Sequence, residues 1–265
     1  MKKNSLQKKK GIAGQTALLL TASINPNNMP GSIPSPSRRL SDYVKAFSFY
    51  VRNFPEVGRV VFAENSGWPL DAVREAGMDN PHGKKMEFLS LGENSYPREF
   101  GKGFGEHHLI TAALEHSSLI KGARYAAKMT GRIFLANLDK LLDRTTPSVD
   151  ISCDLRDHAF YELLGLPFSG RYCDTRFIVF RPDFFREHLR GLTAHHNRGN
   201  FALETNYYRI IKPLEDGCRV SCRLPVEPRF RGLAGHLDKD YSGIGEIAKQ
   251  TVRGISRHVL PGLRI

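Results

Sequence analysis

The sequence predicts an α/β fold, a single domain whose mostly parallel central sheet is flanked by helices. Three observations carry that reading. The first ninety or so residues alternate strand and helix patterns in the order β-loop-α-β-α-β. A proline-rich loop follows directly on the first strand, where such sheets gather ligand contacts. No internal repeat and no low-complexity linker divides the 265 residues, a length that buries one large core. The expected boundaries are a disordered basic tail over 1–15, the main domain over 16–242 and a basic amphipathic helix over 243–265.

Taken in order, MKKNSLQKKK is basic and GIAGQTALLLTAS imitates a signal peptide, but Gly14, Gln15 and Thr16 break the apolar run. ALLLTASI (17–24) reads better as a buried first strand, and no run is long enough to span a bilayer. NPNNMPGSIPSPS (25–37) is a loop of turn formers. In RRLSDYVKAFSFYVRNF, Leu40, Tyr43, Val44, Phe47, Tyr50 and Val51 recur at helical spacing. RVVFAENS (59–66) is the second strand and enters a short helix at WPLDAVREAG; MEFLSL (86–91) is the third.

Residues 101–132 then combine a glycine-spaced turn (Gly101, Gly103, Gly105, with Lys102 and Glu106), a helix, and the segment Lys128-Met129-Thr130-Gly131-Arg132. IFLANLDKLLDR reads as a further helix and VDISCD (149–154) as a strand. YCDTRFIVFRPDFFREHL reads as a strand turning into a helix at Pro182. GNFALETNYYRIIK is a helix, and 244–260 is a last, basic amphipathic one.

Composition narrows the partners. With 40% hydrophobic and 25% charged residues the chain is an ordinary globular protein, but a net charge of +12 and a pI near 9.7 favour anionic partners. Nucleic acid, an anionic membrane and phosphorylated small molecules all qualify. Cys153, Cys173, Cys218 and Cys222 form no CxxC pair, which argues for reduced thiols in a cytosolic setting rather than a zinc site or disulfide framework.

The chemistry-bearing residues favour a phosphate ligand. Backbone N–H groups and cations at both ends of the 101–132 stretch stabilise anionic oxygens, and Arg132 can clamp two of them. The spacing G-x-G-x-G matches neither a dinucleotide fingerprint nor an NTPase loop. Glu64, Asn65 and Ser66 close the second strand, where they can bind a base or ribose or simply cap a helix. Arg38, Arg39 and Asp42 open the preceding helix, and Arg39 is the candidate there for reaching a phosphate. Among the carboxylates suited to acid–base work (Asp150, Asp154, Asp157, Asp174, Glu204), Glu204 has the apolar neighbours that raise a pKa. Glu204 and Asp174 are the catalytic candidates. The histidine pairs at 107–108 and 195–196 lack zinc-ligand spacing, which leaves His236, in GLAGH, as the histidine of interest.

With these elements placed, the chain resembles bacterial surface-polysaccharide (capsule or lipopolysaccharide) glycosyltransferases with a nucleotide-sugar-binding fold of the GT-A type. The resemblance spans about 17–240 and rests on the order of TASINP, RRLSDY, FAENS, GKGFGE, KMTGR with ANLDKLL, DTRFIVFRPDFF and ALETNYY. It implies a GT-A-like domain, a nucleotide-sugar donor and a glycan or lipid-linked acceptor.

It also implies a metal-binding Asp-x-Asp where this chain has Thr130-Gly131-Arg132. The departure leaves Lys102, Lys128 and Arg132 to neutralise the leaving diphosphate, so no cofactor is required; Asp150 and Asp154 are the fallback ligands for Mn²⁺ or Mg²⁺. By order, Glu204 corresponds to the acceptor base of an inverting enzyme, or to a positioning group in a retaining one, and His236 to a loop closing over the donor. The expected location is cytoplasmic, with peripheral contact at the anionic inner membrane through the basic ends. The alternatives are a nucleic-acid-binding protein, which lacks a recognised motif, and a phospho- or nucleotidyltransferase.

Overall fold

The computed structural model describes residues 11–26, 35–92, 95–157, 170–216, 219–232 and 243–259. The expected α/β class is what it shows. Strand β1 (Thr16–Ala22) is buried at all seven positions, as a central parallel strand must be. Its parallel neighbours are β2 (Arg59–Glu64) and β4 (Tyr125–Thr130), and β3 (Lys85–Ser90) pairs beyond β2. Next to β4 lies β9 (Phe177–Phe180), antiparallel to it and to β6 (Ile151–Ser152), and β10 (Val220–Ser221) closes that edge. The seven-stranded order is β10-β6-β9-β4-β1-β2-β3, so the chain reverses its direction of travel between β1 and β4. In open α/β sheets the carboxyl ends of the strands at such a switch, here β1, β2 and β4, are where the ligand crevice forms.

Alternation along the strands builds two cores. Leu18, Leu20, Val60, Phe62, Ala127 and Met129 face α1 (Pro36–Arg52), α2 (Asp71–Ala76) and α5 (Leu138–Arg144). Ala17, Leu19, Val61, Ala63 and Ala126 face α3 (Gly101–His116), α4 (Ser118–Lys121), the helical run 182–193 and α6 (Leu203–Ile211). Ser35 caps α1 by accepting from Arg38 N at 3.3 Å, and Pro36 suits the first turn because its missing N–H would go unused there. The last helix, α7, spans Ile244–Val259. Among the described residues no helix is long and apolar enough to cross a membrane.

Four local expectations are corrected. GKGFGE is not a loop but the first turns of α3. Its glycines serve close packing: a Cβ on Gly103 would stand 2.4 Å from Phe201 O, and one on Gly105 would stand 2.1 Å from the Tyr96 hydroxyl. Gly101 alone needs glycine for its backbone, at φ +76°. Second, the segment after that helix is β4, the middle of the sheet, with Thr130-Gly131-Arg132 at its carboxyl end. Third, IFLANLDKLLDR splits into β5 (Phe134–Leu135), which pairs with β11 (Phe230–Arg231), and α5. The strand read over 172–180 is likewise two: β8 (Arg171–Cys173) pairs with β7 (Leu155–Asp157), and β9 joins the main sheet. Cys153, Cys173 and Cys222 are buried, and Cys218 lies outside the described residues.

Candidate functional site

Three elements bring cations to the crevice. Arg39, in the first turns of α1, is buried; its Nε donates to Ser23 O at 2.7 Å and a terminal nitrogen to the Tyr43 hydroxyl at 3.3 Å. Lys102 stands at the start of α3, on the other face of the sheet. Arg132 follows β4 and is 8% exposed. Its place is set by Gly131, whose N–H donates to Thr21 O at 2.9 Å and whose missing side chain lets β1 and β4 approach. The Lys102 ammonium is pushed below its usual value, first by burial and then by Arg39 and Arg132, whose charges repel it. Arg39 and Arg132 thus each lie near enough to act on the Lys102 charge, and positive charge from α1, α3 and the end of β4 at this side of the sheet suits a polyanion.

A second constellation lies behind them. Lys128, central in β4, has no exposed surface; its ammonium pairs with Glu106 and donates to Thr175 O at 2.5 Å and Thr130 Oγ1 at 3.4 Å. Thr21 donates to Glu106 at 3.3 Å and Thr175 to Glu204 at 3.4 Å. Glu204, in the first turn of α6, is an exposed residue as a whole, and its carboxyl is held by the Thr175 hydroxyl. Burial raises its pKa and Glu106 adds to the rise, opposed by Lys128 and the Thr175 hydroxyl. Nearby, His107 is stacked in the core, with Nδ1 3.1 Å from the Tyr207 hydroxyl, and burial lowers its pKa to about 4. It stays neutral.

Several sequence candidates have other employment. Glu64 is wholly buried and accepts from Ile24 N (2.9 Å), Ser66 N (2.9 Å), Trp68 N (3.2 Å) and the Ser66 hydroxyl. Ser66 in turn accepts from Asn25 N at 3.0 Å. Both staple the loops after β1 and β2 rather than face a ligand. Asn65 differs: its Oδ1 is buried with no hydrogen-bond partner among the described residues, a cost that a ligand donor would relieve. Lys128 is likewise committed to protein, so it acts on Glu106 and Glu204 rather than on a phosphate.

Asp174 accepts from Arg176 at 2.8 and 2.5 Å and lies 3.9 Å from Arg156. Although burial opposes ionisation, the Arg176 charge and its hydrogen bonds, with Arg156, hold the carboxyl well below the usual range. A permanent anion of this kind is a poor proton acceptor. Asp154 is taken by Leu224 N, Arg156 and Arg257, and Asp150 by Arg181 and Arg219. His236 lies outside the described residues.

The metal that the resemblance implies does not fit the end of β4. Two cations, Arg39 and Arg132, already bear on Lys102 there, and the fallback carboxylates are occupied by arginines. Among the described residues no group of three or more His, Cys, Asp or Glu is arranged to hold a metal ion.

Sequence reasoning missed Thr21 and Thr175. Thr21 stands next to last in the first strand, a position that could have nominated it; nothing local singles out Thr175.

The Glu106–Lys128 pair offers a stability test. Lys128→Met is expected to change unfolding free energy by no more than about 1 kcal/mol, because Glu106 stays partly exposed and keeps Thr21. Glu106→Gln strands a buried ammonium and should cost about 2–3 kcal/mol in urea titrations. Equal costs would refute this asymmetry.

No protein-family model and no curated protein matches the sequence. Solved structures do. The inositol-1-phosphate CTP transferase from T. maritima is 11% identical, with a TM-score of 0.51 over 97% of this chain and 100% of that one. The WbbM bifunctional glycosyltransferase is 11% identical at TM-score 0.49, over 83% of this chain and 39% of that one. Core-mannan synthase A from Aspergillus fumigatus, in its Mn/GDP form, is 10% identical at TM-score 0.45, over 77% and 73%. The chain thus spans well under half of WbbM. At 11% identity the likeness to the CTP transferase is one of fold.

Proposed function

We propose that the chain is a glycosyltransferase that moves a sugar from a nucleotide-sugar donor to a hydroxyl of a bacterial surface glycan or lipid-linked oligosaccharide. The observation that carries this reading is the placement of Arg39, Lys102 and Arg132 after β1, β3 and β4, at the carboxyl end of the sheet, with Arg39 and Arg132 both acting on the Lys102 charge. A diphosphate placed there meets fixed positive charge where negative charge grows as the sugar departs. Asn65 is the assigned contact for the nucleoside, and Glu204 the base.

In an inverting displacement the acceptor oxygen bonds to the anomeric carbon while Glu204 takes its proton. The carbon–phosphate oxygen bond breaks, and the nucleoside diphosphate leaves with the electron pair. The three cations perform the neutralisation without a divalent ion, so activity should survive a chelator. The enzyme is assigned to the cytoplasm, at the inner face of the membrane where lipid-linked acceptors are available.

A second reading, transfer of a nucleotidyl group from a nucleoside triphosphate to a sugar phosphate with loss of pyrophosphate, is favoured by the end-to-end likeness to the CTP transferase. One screen separates the readings. UDP-, GDP-, CMP- and dTDP-sugars, with and without Mn²⁺, are compared with nucleoside triphosphates and oligonucleotides by thermal shift. A donor at a hundredfold excess over Kd adds about 2.7 kcal/mol, several degrees in Tm. We expect one nucleotide-sugar to stabilise the protein without Mn²⁺. Stabilisation by triphosphates alone favours nucleotidyl transfer; stabilisation by oligonucleotides alone, with steep salt dependence, overturns both.

A further inference from the structure

Helix α7 is turned the unusual way round. Gln250, Gly254 and Arg257, at positions i, i+4 and i+7, form the stripe that meets the protein. Gln250 donates to Phe230 O at 3.3 Å, and a Cβ on Gly254 would stand 3.9 Å from the Glu227 side chain. Arg257 is nearly enclosed, donating to Leu224 O at 2.8 Å, Glu227 at 2.7 Å and Asp154 at 2.5 Å. Val252, Ile255 and Val259, at i, i+3 and i+7, form a stripe that points outward, 57%, 59% and 68% exposed. Amphipathic helices ordinarily bury the apolar stripe and leave the ions in water. Here a buried arginine orients the helix so that its apolar side is presented.

We propose that this face of α7 docks on an anionic lipid surface. Among the described residues the charge nearby is complementary to one: Lys249, three residues before Val252, is exposed, as are Arg229 and Arg231 on the segment beneath the helix. Glu227, the carboxylate of that segment, is drawn inward by Arg257. A second copy of the chain fits less well, because both carry +12 and three side chains fall far short of the roughly 800 Å² per partner of a stable protein interface. On a membrane the same three side chains enter the headgroup–acyl boundary while the surrounding cations meet lipid phosphates. This gives a definite surface to the membrane location proposed above, and it does not depend on the donor.

The test is co-sedimentation of the full chain with vesicles of phosphatidylcholine alone or mixed with phosphatidylglycerol. We expect binding to the mixed vesicles, weakened by salt. The variant Val252→Ser/Ile255→Ser/Val259→Ser should bind about tenfold more weakly, since it loses exposed apolar area and no buried contact. Lys249→Glu should weaken binding by a smaller factor. Tm and donor-induced stabilisation of the triple variant report the fold and the transfer site separately, and both should be unchanged. Three results overturn the proposal: no binding of the native chain to mixed vesicles, undiminished binding by the triple variant, or a dimer in light scattering that the triple substitution dissolves.

Discussion

Arg132→Ala is expected to raise the dissociation constant of the nucleotide-sugar roughly a hundredfold, about 2.7 kcal/mol, and to leave the protein folded. The size follows from placement. The guanidinium is nearly enclosed, acts on the Lys102 charge, and follows a strand end whose backbone is fixed to Thr21. Donors held in place gain most of their bond energy on binding, because little side-chain freedom is left to lose. Folding should suffer little. The unliganded protein sustains three neighbouring cations, and removing one relieves the repulsion that depresses the Lys102 pKa. Arg132→Lys keeps the charge without the two-pronged geometry and should recover only part of the loss. Calorimetric titration of the donor into each variant, with apo Tm as the control for folding, measures both. An unchanged affinity in Arg132→Ala removes the residue from the site, and with it the case for cationic stabilisation of the leaving group.

How this site could be anticipated differs from residue to residue. TALLLTA, RVVFAE and KMEFLS are legible as strands because each is a short apolar run that stops at polar or turn residues. YAAKMT is less legible, since a lysine in mid-strand speaks against burial. Its ammonium is tolerated only because Glu106 arrives from α3, a partner that local pattern does not show. The glycines of GKGFGE fail for a related reason, since the atoms that require them to be small are Phe201 O and the Tyr96 hydroxyl. Arg39, Lys102 and Arg132 were each suggested by their motifs, but their meeting is a product of topology, with β1 set between β2 and β4. Glu64 and Asp174 show the converse. A carboxylate beside a strand end looks the same in sequence whether it faces a ligand, four nearby hydrogen-bond donors or an arginine two residues on.

Glu204→Gln is expected to lower turnover by roughly two to four orders of magnitude while donor affinity stays within about twofold. The amide keeps the shape and the bond from Thr175 but accepts no proton. The pH dependence carries the sharper test, because the environment of the carboxyl has separable parts. Burial and the Glu106 charge hold the pKa of Glu204 above its ordinary value of 4.5. A base must be ionised, so kcat/KM should be complete above that raised pKa and fall as pH drops through it, in a window higher than an ordinary glutamate would give. Thr175→Val removes a hydroxyl that favours the ionised form, and the acid limb should move to higher pH. Glu106→Gln removes a like charge and frees the Lys128 field, and the limb should move to lower pH. Opposite displacements from two residues known here by their bonds within the protein are not expected of a carboxylate that only supports the fold. Near-normal turnover in Glu204→Gln, or a limb that ignores both neighbours, would rule it out as the base.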